Sequence, residues 1–340
     1  MIICRPRPAT ALVASALLAA CGSGGGSGGE ERVAPISSDV ALRFSDAPVE
    51  ALAHVVVTVE AITFRPEGGE DILVERFTSE ELGLKEAERF DIDLLEVQGE
   101  DSRLVLDSVV LPVGTYSNLR LDIVDEDLNA SFVQESTDSA LKSLKVPSGH
   151  LDLGAFEVSP LSTQSFVIEF GLRQSMSYNP GPDRYILKPR GVRIVQLEEA
   201  AAIVGGVDLA ALHAQPTCDA KPDPSIGNAV YLYAGDTLDP AALADDFDPA
   251  RAGDDASGRV APIASAALGA DGAFVLPYLE PGGYTLAASC EAAGDEADTL
   301  DGITVPDPPG QLVTLTLARG ERWRCTLGGT SPACEIVPDR

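Results

Sequence analysis

The chain has 340 residues, of which 45% are hydrophobic and 5% aromatic, enough for a leader and two compact domains. It carries 53 acidic residues against 24 Lys and Arg, a net charge of −29. So acidic a surface repels polyanions and anionic lipid headgroups, which argues against nucleic acid as a partner and requires another source for any membrane attachment. After Leu18 no apolar run approaches the length of a transmembrane helix.

The first twenty residues have the three parts of an export leader. Arg5 and Arg7 form a basic start, residues 9–18 are apolar, and small residues precede Cys21. The last four positions read Leu18-Ala19-Ala20-Cys21. They resemble the lipobox of bacterial lipoproteins, whose cysteine receives a diacylglyceryl group before a peptidase cleaves ahead of it. The alternative is an ordinary secretory leader with an incidental cysteine.

The segment after the lipobox supports lipidation. Residues 1–20 are interpreted as the signal peptide and residues 21–38 as the lipidated Cys21 with a flexible tether, because residues 22–29 are only Gly and Ser. Several acyl chains give stable anchoring. Position 22 is Gly rather than Asp, and resemblance to the sorting rule of Gram-negative envelopes then implies the outer membrane. We expect a lipid-anchored envelope protein that faces the periplasm or the exterior.

Residues 39–198 predict an antiparallel β-sandwich. Apolar and polar side chains alternate along several segments, with Leu119, Leu121 and Ile123 on one face of a half-buried strand. Strands are expected over 40–44, 54–65, 72–77, 104–111, 116–124, 164–170 and 192–197. One short helix is expected over 80–90, because Thr78 and Glu81 have the spacing of a capping box.

Six blocks in this first domain carry a family resemblance. They are Ser45-Asp46-Ala47-Pro48-Val49, Val55-Val56-Val57-Thr58-Val59, Phe90-Asp91-Ile92-Asp93-Leu94-Leu95, Leu111-Pro112-Val113-Gly114-Thr115-Tyr116, Val146-Pro147-Ser148-Gly149 and Tyr185-Ile186-Leu187-Lys188-Pro189. In this order, over nearly all of residues 38–198, they resemble the bacterial domain-of-unknown-function 4382 family. The resemblance implies an exported lipoprotein and a fold, but no activity. Where the family often has an acidic-Phe-Asp triplet, this chain reads Glu169-Phe170-Gly171, so an acidic site there would lack its second carboxylate.

A second β-sandwich is expected over residues 202–318. Its strand candidates are 229–234, 273–276, 284–290, 303–305 and 312–317, and Asp271-Gly272 signals a tight turn. Residues 271–276 and 279–286 resemble the carboxypeptidase-regulatory, prealbumin-like sandwich. Residues 319–340 are interpreted as a Cys-containing C-terminal tail. The fold class is therefore all-β, with two tandem Ig-like or prealbumin-like sandwiches after the signal peptide and tether.

Both domains place a Pro, a Gly and then a Tyr before an alternating strand. In the first domain Pro112 precedes Tyr116, and in the second Pro281 precedes Tyr284. We interpret each as a turn entering a core strand, with the aromatic ring anchoring the corner. These residues are taken as structural and not as ligand contacts.

The mature cysteines form an even set, as expected for an exported protein. Cys218, Cys290, Cys325 and Cys334 remain after cleavage and lipidation, and two disulfides are the expected outcome. Of the three connectivities we favour Cys325–Cys334 and Cys218–Cys290. A zinc site is the disfavoured alternative, because no CxxC pair occurs and His213 has no partner at ligand spacing.

Two acidic segments raise a calcium hypothesis. Asp125, Asp127 and Asn129 have the alternate spacing that opens an EF-hand loop, although Ala130 and Ser136 do not fit the rest of that loop. The second segment, residues 236–255, gathers further carboxylates. They are Asp239, Asp245, Asp246, Asp248, Asp254 and Asp255. The alternative is that both segments are solvated surface carboxylates that bind no ion.

Sequence patterns for catalysis are weak. None of His54, His150 and His213 stands in a pattern with a nucleophilic Ser or Cys. The sequence therefore predicts no enzyme and no cofactor apart from the Ca²⁺ of the hypothesis above, in an envelope module that binds or has a structural role, with an unknown protein or glycan partner. The alternative is a calcium-dependent carbohydrate-binding or adhesion protein. A carboxylate-pair hydrolase is the weaker alternative.

Overall fold

The computed structural model describes residues 36–46, 52–161, 163–219, 221 and 223–338, and its regular structure is almost entirely β. In this part of the chain no helix combines the length and the apolar character needed to cross a membrane. The described residues of the first sandwich form sixteen strands, a four-residue helix and two 3-10 turns. They are β1 Ser37–Asp46, β2 Leu52–Pro66, β3 Ile72–Val74, β4 Phe77–Ser79, β5 Leu84–Ala87, β6 Phe90–Asp93, Leu94–Glu96 (3-10), β7 Arg103–Pro112, β8 Gly114–Ile123, β9 Phe132–Glu135, β10 Leu141–Lys145, Pro147–Gly149 (3-10), β11 His150–Asp152, β12 Phe156–Val158, β13 Thr163–Phe170, α1 Leu172–Ser175, β14 Met176–Asn179, β15 Arg184–Leu187 and β16 Val192–Gln196.

Two sheets enclose the core of the first sandwich. One has the order β16-β13-β1-β7, and the other has the order β11-β8-β2-β9-β10-β15-β14, with β12 beside β8 and β3 and β6 beside β2. Their inner faces bury aliphatic side chains and a group of aromatic rings, among them Phe44, Phe90 and Phe170. Most pairs are antiparallel as expected, but β1 runs parallel to β13 and β10 runs parallel to β15.

The helix expected over 80–90 is wrong. Strands β4 and β5 pair there as a hairpin, and Gly83 turns the chain with φ +66. The Glu81 carboxylate accepts the N–H of Leu104 at 2.9 Å and pairs with Arg43, so it serves a neighbouring strand and not a helix start. Phe77 is fully buried in the core, and this tertiary packing overrides the local capping signal.

In the second sandwich, the part of the chain that the structure describes forms eight strands, a five-residue helix and two 3-10 turns. They are β17 Ala201–Val207, α2 Leu209–His213, β18 Ala229–Ala234, Pro240–Ala242 (3-10), Gly253–Ala256 (3-10), β19 Ala264–Ala267, β20 Ala273–Leu279, β21 Gly282–Ser289, β22 Leu312–Leu317, β23 Arg322–Leu327 and β24 Ala333–Val337. The sheets have the orders β20-β17-β23-β24 and β19-β18-β21-β22. Its core is built from Ala, Leu, Ile and Val with few aromatic rings.

Two expectations for this domain are corrected. The segment predicted as a C-terminal tail, residues 319–340, contributes strands β23 and β24, and β23 lies between β17 and β24 and pairs with β17 in parallel. Residues 303–305 form no strand, since the N–H of Ile303 donates to the Asp245 carboxylate at 2.7 Å instead of joining a ladder. Short strands that contain glycine, such as β17, have weak sequence signals.

The disulfides and the tyrosine corners are as predicted. Cys218 is bonded to Cys290 and Cys325 to Cys334. The Tyr116 hydroxyl donates to the carbonyl of Pro112 at 2.8 Å, and the Tyr284 hydroxyl donates to the carbonyl of Glu280 at 2.7 Å. Each domain therefore closes one corner with a buried ring and a hydrogen bond four residues back along the chain.

Candidate functional site

The residue predicted to carry the lipid, Cys21, lies outside the described residues, as do the lipobox and the Gly/Ser run. Its lipidation therefore stays a prediction.

The first acidic segment does not gather its oxygens around one point. Asp127 accepts both the backbone N–H and the side-chain N–H of Asn129, at 2.9 and 3.0 Å. The Asp125 carboxylate instead accepts the N–H of Val146 at 2.9 Å and pairs with Lys145 at 2.9 Å. Each carboxylate already has donors of its own, and calcium binding by this loop stays a prediction.

The second acidic segment divides its carboxylates among three neighbourhoods. Asp245 accepts the N–H of Ile303, and Asp248 accepts the N–H of Ala250 at 2.9 Å. Asp246, almost fully buried, faces the first sandwich. The acidic pattern predicts one exposed group at Asp245, Asp246 and Asp248, and this prediction is wrong, because the fold separates the three carboxylates and buries Asp245 and Asp246. Calcium binding here also stays a prediction.

Within the described ranges, three side chains with metal-ligand atoms come together at Cys218, Cys290 and Asp307. The two sulfurs are joined in a disulfide and are not available as thiolates, which are the form that binds a metal. The cysteines therefore act as a covalent link in the second sandwich.

A group of buried charged side chains lies between the two sandwiches. Arg173, in α1 of the first sandwich, pairs with Asp295 of the second at 2.8 Å and approaches Asp246 at 3.8 Å. The side chains of Asp295 and Asp246 are 0% and 1% exposed. Tyr231 also donates its hydroxyl to Asp295, at 2.7 Å.

Three further side chains of the first sandwich extend this contact. The Gln174 amide donates to Asp246 at 2.6 Å and to the carbonyl of Pro262 at 3.2 Å. Arg190 donates to the carbonyl of Ala297 at 3.0 Å, and Lys188 pairs with Asp298. We call this set the charged junction. It consists of Arg173, Gln174, Lys188 and Arg190 from the first sandwich and Tyr231, Asp246, Asp295 and Asp298 from the second.

Burial and neighbouring charges shift the pKa values of the side chains in the charged junction. Burial and then the charge of Asp246 raise the pKa of Asp295 to about 6, although Arg173 and Tyr231 lower it. Burial alone would lower the pKa of Arg173, but Tyr231, Asp295 and Asp246 together raise it. The guanidinium is therefore a permanent charge that holds two buried acids.

The backbone just before α1 fixes the position of this helix at the contact with the second sandwich. The N–H of Gly171 donates to the carbonyl of Gly191 at 2.9 Å, and a Cβ at position 171 would lie 2.8 Å from that oxygen. Only glycine allows this close approach, so the space that a second carboxylate would need is taken by backbone.

A second set of contacts lies further along the same face. Arg322 of the second sandwich binds both oxygens of Glu100, at 2.9 and 2.8 Å, and the Tyr278 hydroxyl donates to the carbonyl of Glu100 at 2.7 Å. Tyr278 also packs with Val167 and Val195 in a small apolar cluster. Aromatic, aliphatic and bidentate ionic contacts therefore hold the two domains together at more than one point.

Glu169 is buried in this face with no solvent exposure. In the register of β13 and β16 it stands opposite Arg193. The Arg193 guanidinium donates to the carbonyls of Ile263 and Pro277 in the second sandwich, at 3.4 and 3.3 Å. Neither carboxylate oxygen of Glu169 has a hydrogen-bond partner in the described structure. Burial raises the pKa of Glu169 to about 8, against the opposing influence of Arg193 and then Ser45.

The histidines are occupied elsewhere. His54 pairs with Asp93, and His150 lies 3.4 Å from Asp152. The ring of His213 contacts the carbonyl of Cys218 at 2.9 Å and the side chain of Asn228 at 3.0 Å. None of these contacts, in the part of the chain described, is with a hydroxyl or thiol nucleophile.

Sequence reasoning missed the charged junction because its members are far apart in the chain. One signal was available. Five of the 24 basic residues fall within 21 positions, in a chain of strong negative charge. These are Arg173, Arg184, Lys188, Arg190 and Arg193. A local concentration of cations in an acidic protein indicates a partner surface of the opposite sign, which is here the second sandwich.

Residues 37–189 match the model of a family described as a domain of unknown function, DUF4382, in agreement with the sequence motifs. The match ends just before β16, which completes the same sheet. No curated protein matches the chain. The resemblance of the second domain to the carboxypeptidase-regulatory sandwich stays a prediction.

Solved structures show only distant similarity. The Bacillus anthracis TIE protein is 9% identical over 85% of this chain and 33% of its own length, with a TM-score of 0.19, so this chain spans about a third of it. A Bacteroides uniformis protein assigned to cell adhesion is 10% identical over 89% and 97% of the two chains, with a TM-score of 0.22. The minor pilin of Streptococcus agalactiae is 10% identical over 88% and 97%, with a TM-score of 0.19. These TM-scores are too low to indicate a shared fold, and the fold above follows from strand pairing alone.

Proposed function

We propose that this protein is a lipid-anchored, non-catalytic component of the cell envelope, whose two β-sandwiches are held as one rigid unit that presents a binding or spacing surface. One observation carries the rigid unit. Arg173 of the first sandwich is held by Asp295 and Asp246 of the second, and both carboxylates are buried. The lipobox and the Gly/Ser run carry the anchor.

The contacts between the sandwiches oppose their separation. Domains within a chain move relative to each other by default, so a mainly charged contact restricts that motion through specific pairs whose geometry is fixed. Separating these sandwiches would part the Arg173 guanidinium from the carboxylates of Asp246 and Asp295, and it would also break the hydrogen bonds that Gln174 makes across the contact. The bidentate pair of Arg322 with Glu100 adds a second fixed point. Two separated points of attachment restrict both the spacing and the rotation of the domains.

The placement of the perturbed acids favours a non-catalytic role. Asp295 and Glu169 have raised pKa values, which at an active site would mark candidate acids. Both are instead covered by the opposite sandwich. A surface depression of about 600 Å³ in the second sandwich is lined mainly by Pro, Leu, Ile and Val, with Arg259 as its charged residue. It contains neither Asp295 nor Glu169, so neither of these two carboxyl groups faces that depression.

The anchor is tested by metabolic labelling. Cells expressing the full chain are fed an alkyne fatty acid, and the protein is captured and its membrane fraction measured. We expect label and membrane association in the wild type and in Cys4→Ser, and loss of both in Cys21→Ser. Label that persists in Cys21→Ser would contradict the lipidation.

The rigid unit is tested by spin-label distances. Labels at the exposed positions Ser136 and Thr314, one in each sandwich, are introduced by cysteine substitution and measured in the mature protein in detergent. We expect a narrow distance distribution in the wild type and in the surface variant Arg76→Ala, and a broad one in Arg173→Ala. A broad distribution in the wild type would overturn the rigid unit and leave the anchor unaffected.

A further inference from the structure

Glu169 and Arg193 occupy an unusual position between the sandwiches. They face each other across neighbouring strands β13 and β16, and Glu169 is fully buried. They do not form an ion pair with each other. The Arg193 guanidinium is turned to the carbonyls of Ile263 and Pro277 in the second sandwich, and its Nε, like both oxygens of Glu169, has no hydrogen-bond partner in the described structure.

The surroundings of Glu169 supply little to stabilise a negative charge. From β1 it faces the Ser45 hydroxyl, which donates to the carbonyl of Asp101 at 2.7 Å, and from β20 it faces Tyr278, whose hydroxyl donates to Glu100. Arg193 is the nearby cation, and it is itself faced by Glu280 and Tyr284. A buried carboxylate without donors is strongly disfavoured in its ionised form.

We propose that Glu169 is a proton-dependent latch between the two sandwiches. When Glu169 is neutral, Arg193 is left free to bind the carbonyls of the second sandwich. When Glu169 loses its proton, the new carboxylate attracts the guanidinium of Arg193 away from Ile263 and Pro277, or draws water into the interface. Either response loosens the docking of the two domains. This inference rests on the rigid unit proposed above and adds its regulation by pH.

The direction of the effect follows from proton linkage. The pKa of Glu169 is raised from 4.5 to about 8 in the docked protein, so the docked state binds the proton more tightly than the unfolded state. Its contribution to stability is fully present below pH 4.5 and is lost as the pH rises through about 8. Asp295 behaves in the same direction, but its pKa is about 6. The interval between pH 6 and pH 8 therefore reports Glu169 with little contribution from Asp295.

The test compares the mature wild-type protein in detergent with Glu169→Gln, which keeps the shape and removes the titration. Thermal unfolding is followed from pH 5 to pH 9, with the exposed Glu157→Gln as a matched control. Release of one proton per molecule changes the equilibrium constant of unfolding by up to about tenfold per pH unit. We therefore expect this constant to rise by up to about a hundredfold between pH 6 and pH 8 in the wild type and in Glu157→Gln. Glu169→Gln should be nearly flat over the same interval. An equal slope in Glu169→Gln and the wild type would overturn the latch.

Two measurements separate the latch from the rigid unit. The spin-label distances at pH 6 report the rigid unit alone, and a broad wild-type distribution there removes the rigid unit whatever the pH slopes are. A narrow distribution at pH 6 that widens by pH 9 in the wild type, but not in Glu169→Gln, supports the latch. Infrared difference spectra of the wild type measure the protonated carboxyl group directly, so this test does not depend on whether Glu169→Gln folds. A protonated carboxyl band that disappears between pH 6 and pH 9 supports the latch, and no such band contradicts it.

Discussion

The interior of each sandwich and the contact between the two sandwiches use opposite chemistry. The first core buries Phe44, Phe90 and other apolar side chains, and the second buries mainly Leu, Ala, Ile and Val. The contact between the domains has a small apolar cluster around Tyr278, and charged side chains surround it, of which Asp246 and Asp295 are almost completely buried. Apolar burial is nondirectional and stabilises each domain, whereas charged and bidentate pairs depend on geometry and fix how the domains are placed.

This difference has consequences for how each region fails. A core variant loses stability in proportion to the apolar surface that is removed, and that loss depends little on salt or pH. A junction variant leaves a buried charge without its partner, and its effect depends on protonation. The four predictions that follow separate these behaviours, from the largest expected effect to the smallest.

The largest effect is expected from Arg173→Ala. Removing the guanidinium leaves Asp295 and Asp246 buried without their cation, so the free energy of unfolding should fall by about 3–5 kcal/mol. Chemical denaturation of the mature protein at pH 7 measures the loss, and a domain-by-domain transition in place of a single one would show that the junction couples the two sandwiches. Arg173→Lys keeps the positive charge but loses the planar guanidinium group. Its free energy of unfolding should therefore lie between those of the wild type and Arg173→Ala. A loss below about 1 kcal/mol for Arg173→Ala would mean that the junction contributes little.

The disulfides should separate by the length of chain that they close. Cys218 and Cys290 are 72 residues apart, and Cys325 and Cys334 are nine apart. Loop-closure entropy predicts that replacing the first pair by serine lowers the free energy of unfolding by about 4 kcal/mol, and replacing the second by about 2–3 kcal/mol. Denaturation under non-reducing conditions measures both. A larger loss for the short loop would show that native packing, and not chain entropy, decides the contribution.

The two tyrosine corners should contribute equally. Tyr116→Phe and Tyr284→Phe each remove one hydroxyl that donates to a backbone carbonyl, and each should lower the free energy of unfolding by about 1 kcal/mol. Thermal unfolding of each variant, with the double variant as a test of additivity, measures the effect. Clearly unequal losses would indicate that the corner serves different purposes in the two sandwiches.

The smallest effect is expected at an exposed ion pair. Arg76 and Glu88 lie 2.9 Å apart, but their side chains are 56% and 78% exposed. Arg76→Ala should lower the free energy of unfolding by less than about 1 kcal/mol, and added salt should erase the difference. Matching it against Arg173→Ala keeps the residue type constant and changes only burial. A loss as large as that of Arg173→Ala would remove the distinction between exposed and buried charge on which the comparison rests.

The sequence by itself determined the features that depend on local patterns. Alternation of apolar and polar residues gave most strands of the first sandwich, and strands 229–234 and 312–317 agree with β18 and β22 at both ends. Cysteine number and spacing led to the pairing that the structure contains, and the Pro-Gly-Tyr pattern led to both corners. In each case the determining residues are close in the chain or few in number, so that few alternatives had to be weighed.

Only the tertiary structure decided the features that join distant segments. Local capping signals favoured a helix where Phe77 and its neighbours are needed in the core as strands. Strand β23 was hidden because its place beside β17 depends on a parallel pairing across more than 100 residues. The charged junction was hidden for the same reason, since Asp246 looked like one of many solvated acids until the fold brought it to Gln174 and Arg173. Charge and spacing in a sequence do not reveal burial, and burial is what turns a surface acid into a structural one.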